Sequence, residues 1–217
     1  MSLCLGHAVA PTAAAARPKR VNHVKCAPAP ELVPFVEHYW VSRWDRTGQP
    51  AKESASLLDP CVHLQVHDGR AEVMGVRRGA YRVRIEGVGC VVGAKFRPGA
   101  FHSFVSRPVR EWTDRVVPAE GVFGGAGERW AREVSSAVLN CDGDADDHVA
   151  IITAGLDAVL GARLPARDAV AEDVGELVAL IASRADVRWV RDLVRASGRS
   201  ERTLDRLFAR YVGVSPA

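Results

Sequence analysis

The stretch Asp186-Val-Arg-Trp-Val-Arg-Asp-Leu-Val-Arg-Ala-Ser-Gly-Arg-Ser-Glu-Arg-Thr-Leu-Asp-Arg-Leu-Phe-Ala-Arg-Tyr-Val-Gly-Val-Ser-Pro-Ala217 decides how the rest of the chain is read. It reads as two short helices around a tight turn. The first runs roughly from Arg188 to Ala196 and buries Val190, Leu193 and Val194. Ser197, Gly198 and Arg199 make the turn, where Gly198 can reach positive φ without a Cβ clash. Ser200 is a good N-cap, and Glu201 sits at the positive end of the helix dipole. The second helix runs to about Val212, with Gly213 just past its end and Pro216 soon after. Leu204, Leu207, Phe208 and Tyr211 recur at i, i+3, i+4 and i+7, the stripe of a helix facing a core. Arg202, Asp205, Arg206 and Arg210 lie opposite. A helix, a glycine turn and a helix with a basic outer face make a helix-turn-helix, whose second helix is shaped to enter the major groove of double-stranded DNA.

The spacing assigns roles. Arg202 and Arg206 are one turn apart, where each can fork onto a guanine edge. Asp205 lies beside them and can accept from a cytosine amine or orient an arginine. Ser200 and Thr203 occupy the first turn, where hydroxyls and free backbone N–H groups bind phosphate. Arg199 and Arg210 flank the helix as further phosphate partners. The competing reading is a solvated basic face on an ordinary helical hairpin.

Charge supports a local anion site. The whole chain of 217 residues carries +3. Residues 186–217 hold seven arginines and four acids, and residues 1–27 hold Arg17, Lys19, Arg20 and Lys25 with no acid. The body between these basic ends is therefore mildly acidic. Cys4, Cys26, Cys61, Cys90 and Cys141 are scattered, without a C-x-x-C pair, which argues against a disulfide framework or a structural zinc. A reducing cytoplasm fits that usage. No apolar run reaches the roughly 20 residues of a membrane span, and the start, Met-Ser-Leu-Cys-Leu, lacks the basic region of a signal peptide.

Upstream, residues 1–29 are rich in Ala, Pro and basic residues without periodicity and read as a disordered tail. From Glu31 to Arg97 the pattern turns to strands. Phe35 to Trp44 is aromatic and β-branched. Cys61 to His67 alternates, with Val62, Leu64 and Val66 on one face. Ala71 to Val76, Ala80 to Gly87 and Val88 to Phe96 continue the series, and Asp68-Gly69 is a hairpin signal. Helices follow Pro98-Gly99: Glu128 to Leu139, Asp147 to Leu160, and one capped by Asp168 that runs to about Arg184. The last buries Val170, Val174, Leu177, Val178 and Ile181 and would support the helix-turn-helix. The expected fold is α+β: a tail at 1–29, an N-terminal antiparallel β-rich domain with trailing helices at 30–163, and a small all-α domain at 168–217.

Arg202-Thr-Leu-Asp-Arg-Leu-Phe-Ala-Arg-Tyr-Val-Gly-Val-Ser-Pro216, preceded by V-x-x-L-x-x-x-x-G-x-S at Val190 to Ser200, resembles the first helix-turn-helix of AraC-type transcription regulators. Leu57 to Leu64, Val73 to Val76 and Gly93 to Phe101 are similar to the uncharacterised N-terminal domain of one subgroup of that family. The resemblance implies that Arg202, Asp205 and Arg206 read bases, and that Ser200 and Thr203 touch the DNA backbone. It also implies an N-terminal domain that senses a small-molecule effector or forms a homodimer. The family carries two such modules joined by a long helix, whereas here the chain ends at Ala217, where that helix would begin. The expectation is therefore a truncated regulator. The alternative is a ligand-binding or dimerising protein that does not bind DNA and antagonises full-length relatives.

Other motifs fail on spacing. Cys61, His63 and His67 share a strand face, but i and i+6 lie about 20 Å apart, too far for one ion. Arg97 can hold an anionic effector, although Pro98-Gly99 makes it a strand end that redirects the chain. Asp142, Asp144 and Asp146 imitate a calcium loop but lack its Gly and its final Glu. Gly121 to Gly127 has no G-K-[ST], and Gly87, Gly89 and Gly93 miss the dinucleotide spacing. With no G-x-S-x-G, no H-E-x-x-H and no catalytic carboxylate pair, the sequence predicts no enzyme and no cofactor.

Overall fold

The structure, a computed structural model, describes residues 22–67, 69–125, 128, 129, 132 and 145–216, with backbone alone at 22 and 145–148. The fold is α+β. Eight strands occur among the described residues: β1 (Asn22–Cys26), β2 (Val36–Asp45), β3 (Lys52–Ser56), β4 (His63–His67), β5 (Arg70–Met74), β6 (Tyr81–Ile85), β7 (Val88–Phe96) and β8 (Val116–Pro118). The helices are α1 (Phe101–Val105), α2 (Glu120–Phe123), α3 (Ala145–Gly161), α4 (Ala169–Ser183), α5 (Val190–Ser197) and α6 (Glu201–Leu207). The helix expected over 128–139 and the aspartates at 142, 144 and 146 lie outside the described residues or nearly so.

The main sheet is antiparallel in the order β1-β2-β7-β4-β5-β8, and β3 pairs with β6 in a separate two-stranded sheet. Tyr39, Val41, Leu64, Val66, Val92, Ala94 and Phe96 alternate onto one buried face, as period-2 geometry requires. On the other face, Trp40 and Trp44 lie across their cross-strand partners Gly93 and Gly89. A Cβ at Gly93 would stand 2.9 Å from Trp40 Cζ2, so glycine there is a packing requirement. At the β4–β5 turn His67 pairs with Arg70, and Gly69 takes φ 77°.

Several elements depart from the sequence reading, β3 and β8 among them, which it does not contain. The expected tail at 1–29 enters the fold at Asn22, because β1 finds a ten-residue partner in β2 and pairs from Asn22–Arg43 to Cys26–Tyr39. Local composition hides this strand; the pairing that stabilises it is made with distant residues. The strand β6 does not join the main sheet. The long strand β7 takes the place between β2 and β4, and β6 is left to β3.

The first core joins the buried sheet face to α1 and α3. Phe101 packs edge-on against Phe96 at 5.2 Å and against Trp112 at 5.6 Å, contacts worth about 0.5–1.5 kcal/mol each beyond area burial. The helix α3 is fastened to the sheet by Asp157, whose Oδ1 accepts from the Tyr39 hydroxyl at 2.6 Å and from the Ala29 N–H at 2.9 Å. The second core contains Ala171, Val174, Leu177, Val187, Leu193, Leu204, Phe208, Tyr211 and Val212. The stripe on α4 keeps Val174 and Leu177 buried, with Val178 and Ile181 half-buried against the same core, but Val170 is 41% exposed and Ala171 is buried instead. Glycine is needed at the facing position 99, because a Cβ at Gly99 would come within 2.6 Å of the Ala171 carbonyl oxygen.

Candidate nucleic-acid interface

The first helix of the C-terminal pair, α5, begins two residues later than its expected start. Asp192 sets that start by accepting from the backbone N–H groups of Trp189 (3.0 Å) and Arg188 (3.3 Å). Gly198 ends the helix at φ 67°, in the left-handed region, where a Cβ is disfavoured. Ser200 then caps α6, its Oγ accepting from the Thr203 N–H at 3.3 Å and lying 2.9 Å from Thr203 Oγ1. The helix continues from Phe208 to Val212 as a π-helical turn and stops at Gly213, φ 106°. Leu204 is fully buried, Phe208 and Tyr211 are nearly so, and Leu207 is partly buried.

Arg202, Asp205 and Arg206 are all exposed on one side of α6, since residues three and four apart share a helix face. None of the three side chains forms a hydrogen bond or ion pair among the described residues. The four residues read as phosphate contacts are placed differently. Arg199 turns inward and grips Asp173 of α4 through both carboxylate oxygens, at 2.6 and 2.8 Å. Ser200 and Thr203 are joined in the cap. Arg210 donates from Nε to His102 Nε2 at 3.3 Å. Arg202, Asp205 and Arg206, the expected base readers, are thus the three of the seven whose side chains form no hydrogen bond or ion pair among the described residues. Nearby, Trp189 is 65% exposed with the Arg191 guanidinium 5.7 Å from its ring centre.

The end of this helix also rests on the sheet domain, a relationship the sequence does not signal. Thr113 Oγ1 donates to the Gly213 carbonyl at 2.6 Å, and Tyr211 meets the His102 ring edge-on at 4.4 Å. Val109 and Thr113 approach Gly213 so closely that a Cβ there would lie 3.0 Å from Thr113 Oγ1. The glycine read as a helix stop is thus also a docking point. His102 and Thr113 are about a hundred positions away from it, and no periodicity links such distant residues.

The strand histidines occupy a separate polar patch. Lys95 bridges Asp59 (2.5 Å) and Glu37 (3.1 Å) beside Cys61 and His63. Burial pushes the Cys61 thiol up to about 12, and burial, reinforced by Lys95 and His38, holds the His63 imidazole down at about 4. His63 Nδ1 and Trp40 Nε1 are buried without hydrogen-bond partners among the described residues. His67 is at the exposed far end of the strand. Among the described residues no group of three or more His, Cys, Asp or Glu could hold a metal ion. Arg97, read as an anion partner, donates to the Val33 carbonyl at 2.7 Å.

No curated protein and no solved structure matches the chain. Residues 24–118, from within β1 to the last residue of β8, match the family model described as a domain of unknown function, DUF6597.

Proposed function

We propose that the chain is a sequence-specific DNA-binding transcription regulator of AraC type, with residues 201–212 as the recognition helix in the major groove. The observation that carries this reading is the exposed trio Arg202, Asp205 and Arg206 on a capped helix whose opposite face is buried. Arginine forks spaced one turn apart suit guanine edges, and the glycine turn before Ser200 suits a helix-turn-helix. The proposal includes an N-terminal domain that binds an effector or dimerises, and a cytoplasmic location. Among the described residues no helix is long and apolar enough to cross a membrane.

The test is selection of a site from a randomised duplex library, followed by gel shifts over a salt series. The reading expects binding that weakens steeply with salt and falls with Arg202→Ala and Arg206→Ala. Binding indifferent to both substitutions would remove the assigned face.

A second reading is a ligand-binding or dimerising protein that does not bind DNA and antagonises related regulators. It is favoured by the engagement of Arg199 and Arg210 within the chain. Failure to select any duplex, together with a dimer in sedimentation, would support it.

A further inference from the structure

The two cores leave a cleft of about 600 Å³ between the sheet domain and α4, within the size range of small-molecule sites. Phe35 and Cys61 contribute apolar surface from the sheet side, and Ala171 and Val178 from α4. Cys61 is 4% exposed and stays a neutral thiol, so it adds no charge to that surface.

The charges of the cleft do not balance. Five carboxylates line it, those of Glu37, Asp59, Asp168, Glu172 and Glu176, against two guanidiniums, Arg97 and Arg167. Lys95 is the only further cation bound to this set among the described residues, and it is shared between Glu37 and Asp59. Arg167 is taken by Glu172 at 2.6 Å. Arg97 already donates to a backbone carbonyl. Glu176 is exposed on the α4 wall and has no cation partner among the described residues. Ser103, also lining the cleft, has a hydroxyl with no hydrogen-bond partner among the described residues. An anionic ligand would meet one guanidinium already paired with Glu172, a second with one N–H spent on a backbone carbonyl, and a carboxylate excess. A cation with an apolar body would meet the reverse.

We propose that this cleft is a binding site for a small organic cation, an amine or amidine carried on an apolar body. The apolar part lies on Phe35, Ala171 and Val178, and the charge faces Glu176. One wall belongs to the sheet domain and the other to the helix that supports the C-terminal pair, so the occupant touches both cores. The site stands whether or not the chain binds DNA, and its test uses no DNA.

The test is titration calorimetry of the full chain with phenethylamine, octylamine and benzamidine, and with phenylacetate and octanoate as matched anions. At least one cation is expected to saturate a single site, and neither anion is. Glu176→Gln, at an exposed position, is expected to weaken that cation about fivefold, the size of one exposed charge pair. Ala179→Trp, which fills the cleft from an exposed position on α4, is expected to abolish binding, with the unfolding temperature of both variants kept near that of the parent. No saturable binding by any of the three cations, equal binding of the matched anions, or affinity unchanged in both variants would each overturn the proposal.

Discussion

Arg210 Nε donates to His102 Nε2 across 3.3 Å and so ties the last turn of the C-terminal helix to a residue 108 positions earlier. His102 is 4% exposed, and its Nδ1 lies 3.0 Å from the Arg107 carbonyl. A carbonyl only accepts, so Nδ1 carries the proton and Nε2 is left as the acceptor for arginine. A double-mutant cycle of His102→Ala and Arg210→Ala in urea unfolding is expected to give a coupling of about 0.5–1.5 kcal/mol. Strict additivity would mean that the contact contributes nothing.

The arginines of the C-terminal pair divide into two sets. Arg202→Ala and Arg206→Ala are expected to cost about 1–3 kcal/mol each in binding to a selected duplex, with no change in unfolding temperature, because both side chains are exposed and form no hydrogen bond or ion pair among the described residues. Arg199→Ala is expected to lower stability by about 1 kcal/mol, since it removes a two-oxygen grip on Asp173 at a half-exposed site. Calorimetric scans beside gel shifts separate the two effects.

Among the described glycines, Gly75 is the one where an added Cβ would come closest to another atom. A Cβ there would stand 1.9 Å from the Trp112 carbonyl oxygen and 2.5 Å from its carbon. Both are backbone atoms that cannot rotate away. Gly75→Ala is expected to destabilise the protein by about 2–4 kcal/mol, measured as the denaturant midpoint. Gly79→Ala, with nothing within 4 Å, serves as the matched control.

Tyr39 is fully buried, and its hydroxyl serves one carboxylate, Asp157. Tyr39→Phe keeps the ring and removes the donor. It is expected to cost about 1.5–3 kcal/mol, the range for hydrogen bonds to charged groups, and to loosen α3 in hydrogen exchange while leaving β7 protected.

His63 makes stability depend on pH. Its folded value of about 4 lies below the ordinary 6.5, so the unfolded chain takes up the proton first as pH falls. The stabilising contribution is complete above pH 6.5 and is lost between 6.5 and 4, amounting to at most about 3 kcal/mol. His63→Gln is expected to flatten the unfolding free energy over that window relative to the parent.

The parts legible in the sequence are those written by local chemistry. The Ser200 cap, the Gly198 turn and the alternation of Val62, Leu64 and Val66 each depend on residues a few positions apart. They place the C-terminal helices and the buried face of β4 correctly. What escaped depends on partners far apart in the chain. β1 exists because β2 offers it an edge, β7 lies between β2 and β4 for reasons of packing, and Arg199 faces inward because Asp173 waits on α4. The exposure of Arg202, Asp205 and Arg206 was legible for the same reason that the contacts of Gly213 with Thr113 and of Tyr211 with His102 were not: an exposed face needs only periodicity, whereas docking needs a partner.

The contact of Gly213 with Thr113 also has a mechanical side. Residues 201–212 form an arm about 18 Å long at 1.5 Å per residue, fixed at its far end by that hydrogen bond and by the His102 contacts. A rotation of about 10° around this pivot sweeps the Ser200 end through roughly 3 Å, about the length of a hydrogen bond. The turn holding the pivot is itself seated on Gly75, at the end of β5. A tilt of that strand would bear on the pivot end of an arm whose other residues, Leu204 and Phe208, are held by the second core.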